Sequence, residues 1–212
     1  MNLIQNIQEE NIEGVLEELF DDAKNDRFRM MKSFAKNPFR AMQPKDFEEV
    51  YLSISKAQGE ALVDLVQQNK LKNIVEFGTS FGISTLFLAA GALQTEGNII
   101  TTELIDTKAL KAIGNFVKAG VANLIEVRIG NAMETLKNHS TPIDLLLLDG
   151  WKDLYLRLFQ MLEPNFHSNT IIYVDNADMA STKDFLNTIS KNDSYQLESQ
   201  FEGKVVLIRV KK

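Results

Sequence analysis

Apolar and polar positions along this chain follow two periods in turn. Ile12, Val15, Leu16, Leu19 and Phe20 recur at helical spacing between acids, which predicts an amphipathic surface helix within residues 9–22. A second helical pattern runs over Phe47–Gln68, with Val50, Ile54, Ala57, Ala61, Leu62 and Leu65 on one side. Short β-rich runs follow at Asn73–Phe77, Asn98–Thr102, Leu124–Ile129, Ile143–Leu148 and Thr170–Val174. Between and after them lie helical patterns beginning at Thr85 and spanning Asp106–Ala119, Ala132–Asn138, Lys152–Leu162 and Ser181–Lys191. Strands alternating with helices predict an α/β fold with a parallel sheet, right-handed crossovers and helices on both faces. The end of the chain differs. Tyr195–Phe201 and Lys204–Val210 flank a two-residue turn at Glu202–Gly203, a hairpin that would set one antiparallel strand into the sheet.

Arg27–Lys45 fits neither period. It holds Arg27, Arg29, Lys32, Lys36, Arg40 and Lys45 with no acid among them, and Phe28, Met30, Met31, Phe34 and Phe39 are interleaved. Pro38 and Pro44 break helices there. One reading is an irregular cap whose aromatics pack on the core; the other is a loop-rich lid that selects a substrate. Either way residues 1–46 would form an N-terminal cap or lid on a main domain of residues 47–212.

Composition narrows the chemistry. The chain has 212 residues, 44% of them hydrophobic, enough for one good core. A formal net charge of −6 disfavours a general nucleic-acid binder. The absence of cysteine excludes disulfides, zinc thiolate sites and thiol catalysis. Only two histidines, His139 and His167, are available; His139 in a polar loop is expected to be exposed, and His167 to be structural. The first residues lack the basic and apolar regions of a signal peptide, and no apolar run approaches the ~20 residues of a membrane span. The expectation is a cytoplasmic protein.

Candidate chemistry gathers at strand ends. Ile143–Leu148 is five apolar residues in six and runs into Asp149, with Lys152 three residues on. Thr170–Val174 repeats the idea and ends on Asp175 and Asn176. Two carboxylates and an amide form an oxygen-only set, which suits Mg²⁺ or Ca²⁺ rather than zinc or copper, and Lys152 stands beside it as a base. Singly, Asp149 could be a helix cap, Lys152 a solvated lysine and Asp175–Asn176 a turn. In open α/β sheets ligands bind beyond the carboxyl ends of the strands. The first such end is Glu76-Phe77-Gly78-Thr79-Ser80-Phe81-Gly82, whose glycines permit a sharp turn close to a ligand but lack the dinucleotide spacing. The second strand ends on Glu103, placed to accept ribose hydroxyls, and the third is followed by Gly130-Asn131-Ala132-Met133.

Together these motifs resemble the class I S-adenosylmethionine-dependent methyltransferases. DGWKDLY followed by VDN narrows the likeness to the metal-dependent, catechol O-methyltransferase-like branch; the caffeoyl-CoA branch typically carries Asp-Ala-Asp-Lys where this chain has Asp149-Gly150-Trp151-Lys152. The resemblance covers roughly residues 50–212. It implies a Rossmann-like methyltransferase fold with a mostly parallel, seven-stranded sheet. It further implies that Gly78 to Gly82 pass under the methionine part of the cofactor, with Glu76 beneath and Ser84 at its amino-acid end. Glu103 would bind the ribose, the Ala132 backbone would face the adenine edge, and Trp151 would pack on the adenine. Asp149 would contact the cofactor, and Asp149, Asp175 and Asn176 would hold the metal. Two positions depart from the pattern: Met133 replaces a glutamine that reads the adenine amine, and Gly150 replaces a histidine, leaving room beside the ring.

The implied activity is methyl transfer to a hydroxyl of a small catechol- or diol-like acceptor. The metal would orient the acceptor, and Lys152 would act as general base, its pKa depressed by the dication and by burial. Two other functions stay open. Related enzymes methylate hydroxylated uridines in tRNA, and the basic stretch Arg27–Lys45 could hold RNA, a reading that neutralising Arg29, Lys32 and Lys36 would test. A non-catalytic S-adenosylmethionine-binding protein is the third. The aromatic N-terminal segment could also pair two copies into a homodimer.

Overall fold

The computed structural model describes residues 3–36 and 42–211. Pro38, Phe39 and Arg40 lie outside the described residues. The strands are β1 Asn73–Phe77, β2 Asn98–Glu103, β3 Ile125–Ile129, β4 Ile143–Leu148, β5 Phe166–Asp175, β6 Tyr195–Gln200 and β7 Val205–Val210. They form one seven-stranded sheet in the order β3-β2-β1-β4-β5-β7-β6. β1 to β5 pair in parallel, and β7 runs antiparallel between β5 and β6, as the hairpin predicts. The order reverses at β1 and β4, so the crevice of a doubly wound sheet opens beyond their carboxyl ends.

β4 shows why its sequence is an unbroken apolar run. Successive side chains of a strand point to opposite faces. Leu145 and Leu147 enter the core on one face of the sheet; Leu146 and Leu148 enter the other. All four are fully buried, each contributing about 1.5–3 kcal/mol of hydrophobic transfer. The first face is covered by α3 Lys56–Gln68, α4 Ile83–Thr95 and α5 Asp106–Lys118. α1 Leu3–Ala23 lies over the same face and buries Ile12, Val15, Leu16 and Leu19, the stripe its periodicity marks out. The second face is covered by α7 Tyr155–Leu162 and α8 Ala180–Ile189. No helix of the described residues is long and apolar enough to cross a membrane.

Several boundaries differ from the sequence-based expectation. Residues 27–36 are not loop but part of a helix, α2 Asp26–Lys36. Its Phe28, Met31 and Phe34 are 71%, 64% and 50% exposed, so they do not pack on the core. The helix expected from Phe47 starts only at Lys56, because Ser55 caps it: its Oγ accepts from Gln58 N, and the Gln58 side chain accepts from Ser55 N. Before that cap the backbone N–H groups of Tyr51 and Leu52 donate to the Asp26 carboxylate at 2.9 and 3.1 Å, and Leu52 is left-handed at φ 51°. A contact from α2 thus overrides the local helical period. The helix expected over Ala132–Asn138 is one turn, α6 Ala132–Thr135. Lys152–Leu154 is a 3₁₀ turn that precedes α7. The hairpin turn takes in Phe201 as well as Glu202 and Gly203, all three with positive φ. His139 is half-buried rather than exposed, and burial pushes its imidazole pKa down. His167 lies within β5, its Nε2 2.9 Å from Asp144 Oδ1.

Candidate active site

A cavity of about 700 Å³ opens beyond the carboxyl ends of β1 to β5, within the ~300–1,000 Å³ typical of small-molecule sites. The loops after all five strands contribute to it: Gly78 to Ser84, Glu103 to Ile105, Gly130 to Ala132, Asp149 to Lys152, and Asn176 with Met179. Tyr51 to Ile54, Pro44, Phe47 and Met30 of α2 form its lip.

The loop after β1 is shaped by close approach. Gly78 has φ 108°, and a Cβ there would fall 2.7 Å from the Asp149 carbonyl oxygen. Only glycine lets the β1 and β4 loops touch at this point. Gly150 is constrained from the other side: a Cβ there would fall 2.6 Å from the Phe77 ring. The room expected beside Gly150 is therefore already filled by Phe77. Gly82 does not face the cavity; a Cβ there would meet Phe116 at 2.5 Å.

Glu76 also lies beneath the cavity wall rather than on it. It is fully buried, and its carboxylate accepts from Ser84 Oγ at 2.6 Å, Thr85 Oγ1 at 2.5 Å and Thr101 Oγ1 at 2.6 Å. Burial raises its pKa, and the three hydroxyl donors work against that rise. The set pins the start of α4 to β1 and β2. Ser84 lines the cavity, but its hydroxyl proton is committed to Glu76.

Glu103 lines the cavity and accepts from Ser80 N at 2.8 Å and Ile105 N at 2.9 Å, one bond on each carboxylate oxygen. Its unused lone pairs could still take ligand hydroxyls. Ala132 lines the floor, and Trp151, 37% exposed, stands at the rim 6.5 Å from Phe47. Met133 packs into the core instead, next to Asn131, which does line the cavity.

Further charges stand at the adjoining ends of β4 and β5. Lys152 Nζ lies 3.6 Å from Asp149 Oδ1, with the two side chains 18% and 12% exposed. Asp175 is buried, and its Oδ1 accepts from Gln58 Nε2 at 2.9 Å. Gln58 thus serves both the cap of α3 and this carboxylate, a role its sequence context does not signal. Asn176 follows in the left-handed region at φ 52° and lines the cavity. Burial, and then the Asp175 charge beside it, hold the Asp149 carboxyl well above the usual carboxylate range, with Lys152 pulling the other way. Two carboxylates forced together are an arrangement a dication would relieve. Among the described residues no cluster of three or more carboxylate, histidine or cysteine side chains could hold a metal. The set here is two carboxylates and an amide, which is oxygen-only and fits a hard cation.

Lys108, not singled out in the sequence, also lines the cavity; it is 4% exposed and hydrogen-bonds Ser80 Oγ at 3.2 Å. A lysine in the first turn of α5, where the helix dipole disfavours a cation, was the available signal.

A family model described as O-methyltransferase matches residues 21–182. The chain belongs to this O-methyltransferase family. The match begins nearer the N-terminus than the resemblance over 50–212 and takes in α2. Relatives include a catechol O-methyltransferase of Niastella koreensis, 33% identical over 59% of this chain and 58% of that protein. Another is a catechol O-methyltransferase of Mycobacterium tuberculosis, 32% identical over 59% of this chain and 57% of that one. The matched region thus spans somewhat over half the length of these relatives. An O-methyltransferase from Bacillus cereus, solved in complex with SAH, has the same fold: TM-score 0.67 at 22% identity, covering 88% of this chain and 96% of that one. The Rossmann-like methyltransferase fold is therefore common to both.

Proposed function

We propose that this O-methyltransferase family member transfers a methyl group from S-adenosylmethionine to a hydroxyl of a small catechol- or diol-like acceptor, with a divalent cation and with Lys152 as base. The observation that carries the reading is a single cavity lined by two unlike sets of residues. One is the Gly78–Ser84 loop with Glu103; the other holds Lys152, Asp149 and Asn176, with Asp175 buried behind them. The catechol O-methyltransferases among the relatives support the acceptor class.

The donor supplies a methyl group on a sulfonium, already activated for in-line displacement. Asp149, Asp175 and Asn176 would hold a dication, which would supply positive charge favouring the acceptor's oxyanion. The protein's own part is binding and proton transfer. Gly78 and the loop to Ser84 cradle the amino-acid end, Glu103 takes ribose hydroxyls, and Ala132 and Trp151 enclose the adenine. Glu76 keeps the loop in place through three hydroxyls. Gln58 orients Asp175. Lys152 Nζ accepts the acceptor's hydroxyl proton while the new C–O bond forms and the C–S bond breaks. Alignment of two reactants can supply ~7–11 kcal/mol, so positioning is the larger share of the protein's work.

Residues 1–46 act in this reading as a cap on the domain of residues 47–212, with Met30 of α2 on the cavity lip. The tRNA reading has no observation of this kind behind it. Arg29, one of the residues it relied on, is engaged by Asp22 at 2.7 Å and Asp26 at 3.3 Å. The test is transfer of label from methyl-labelled S-adenosylmethionine to a panel of catechols, other vicinal diols and hydroxyuridine-containing tRNA. Label on a diol is expected; label on tRNA alone, or donor binding with no transfer to any member, would overturn the proposal.

A further inference from the structure

Lys108 is a buried lysine that the carboxylates of Glu103, Asp26, Asp149 and Glu48 influence only from a distance. It is the third residue of α5, and its side chain is almost wholly buried. Nζ donates to Ser80 Oγ at 3.2 Å and lies 5.2 Å from the centre of the Phe81 ring. Among the described residues, its Nζ has no carboxylate within ion-pair distance; Glu103, the strongest electrostatic influence on it, spends its oxygens on Ser80 N and Ile105 N. A hydroxyl and an aromatic face are weak compensation for the desolvation of a buried ammonium. Burial accordingly pushes the lysine pKa down, with Glu103 opposing. The side chain nevertheless lines the cavity, on the wall of the Gly78–Ser84 loop.

What would answer that charge follows from the donor's chemistry, so the inference rests on the donor assignment proposed above. Adenine and ribose are neutral, and the sulfonium and the amine are positive. The carboxylate is the donor's one anionic group. The residue that fixes Nζ, Ser80, belongs to the loop assigned to the amino-acid end. Ser80 is itself held, donating Oγ to the Tyr51 carbonyl at 2.7 Å. We infer that Lys108 recognises the carboxylate of the bound donor through a charge-assisted hydrogen bond, with Ser80 and Phe81 positioning its ammonium. This would supply the anion contact that Ser84, whose proton is committed to Glu76, is less able to donate.

The test is calorimetric binding of two ligands to the whole protein: S-adenosylhomocysteine, and 5′-methylthioadenosine, which keeps the nucleoside and thioether but lacks the amino-acid end. Lys108→Met should weaken S-adenosylhomocysteine about 10- to 100-fold, the scale of a hydrogen bond between charged groups, and leave methylthioadenosine nearly unchanged. Lys108→Arg should restore part of the loss. Equal losses for both ligands, or no loss for either, would overturn the inference. Should Lys108→Met fail to fold, the native protein decides: the thioether analogue lacking only the carboxylate must bind at least about tenfold more weakly than S-adenosylhomocysteine, and equal affinity overturns the inference. Failure of the native protein to bind S-adenosylhomocysteine and methylthioadenosine alike would instead refute the donor assignment, and the inference with it.

Discussion

Lys108 and Lys152 both follow an acidic strand end and both stand in the first turn of a helical segment, yet the protein treats their charges differently. Lys152 has Asp149 3.6 Å away, on the same short loop, with Asp175 buried beyond it. Lys108 has a hydroxyl and an aromatic ring, and the carboxylate with the strongest electrostatic influence on it, Glu103, is occupied by backbone donors. One lysine meets its counter-charge inside the protein. The other is held rigid and unanswered, which suits it to grip an anion that arrives with a ligand. A buried cation is costly unless paired, so the cavity wall that carries Lys108 is built at some expense to the empty protein.

That contrast can be broken by separating turnover from binding. The largest effect is expected at Lys152. Lys152→Met should lower kcat by about 10²–10⁴-fold, the range for loss of a general acid or base, while calorimetric binding of S-adenosylhomocysteine stays near the native value. A native kcat in that variant would remove the base. The Lys108→Met loss in donor affinity comes next, and it should leave kcat at saturating donor largely intact, the opposite signature. A variant at either lysine that lowers both quantities in proportion would mean the two walls are not separate.

A smaller effect sharpens how rigidly the Lys152 loop is held. Gly150→Ala would push a methyl into the Phe77 ring. It should cost about 1–3 kcal/mol, as overpacking does, and lower Tm by roughly 2–4 °C per kcal/mol for a chain of this size. Adding Phe77→Leu should recover much of the loss. Thermal melts of the two proteins check this; an unchanged Tm for Gly150→Ala would show that the loop yields.

The contrast also explains what could be read from the sequence. The Lys152 wall was legible because its partners are local or stand at the end of an obvious strand: the apolar β4 run ends on Asp149, and β5 ends on Asp175 and Asn176. The sheet and its antiparallel hairpin were legible for the same reason, since period and turn residues are local signals. Lys108 was not, because its setting depends on Ser80 and Phe81 from one loop and on Tyr51 from another. Gln58 was missed for the same reason: its capping role is local, but its bond to Asp175 spans most of the domain. The region before Lys56 failed differently. Val50 and Ile54 are buried as their period suggested, but Asp26 takes the N–H groups of Tyr51 and Leu52 and holds that backbone out of a helix. In α2 the interleaved aromatics suggested packing, and a helix that leaves Phe28, Met31 and Phe34 in solvent was not foreseen.

In the proposed reaction, methyl transfer depends on a dication held by Asp149, Asp175 and Asn176. The most direct test of that dependence measures label transferred from S-adenosylmethionine to a catechol, at saturating donor, before and after EDTA and after Mg²⁺ is restored. Transfer should collapse in EDTA and return with Mg²⁺, whereas S-adenosylhomocysteine binding by calorimetry should be nearly unaffected. Undiminished transfer in EDTA would contradict that dependence.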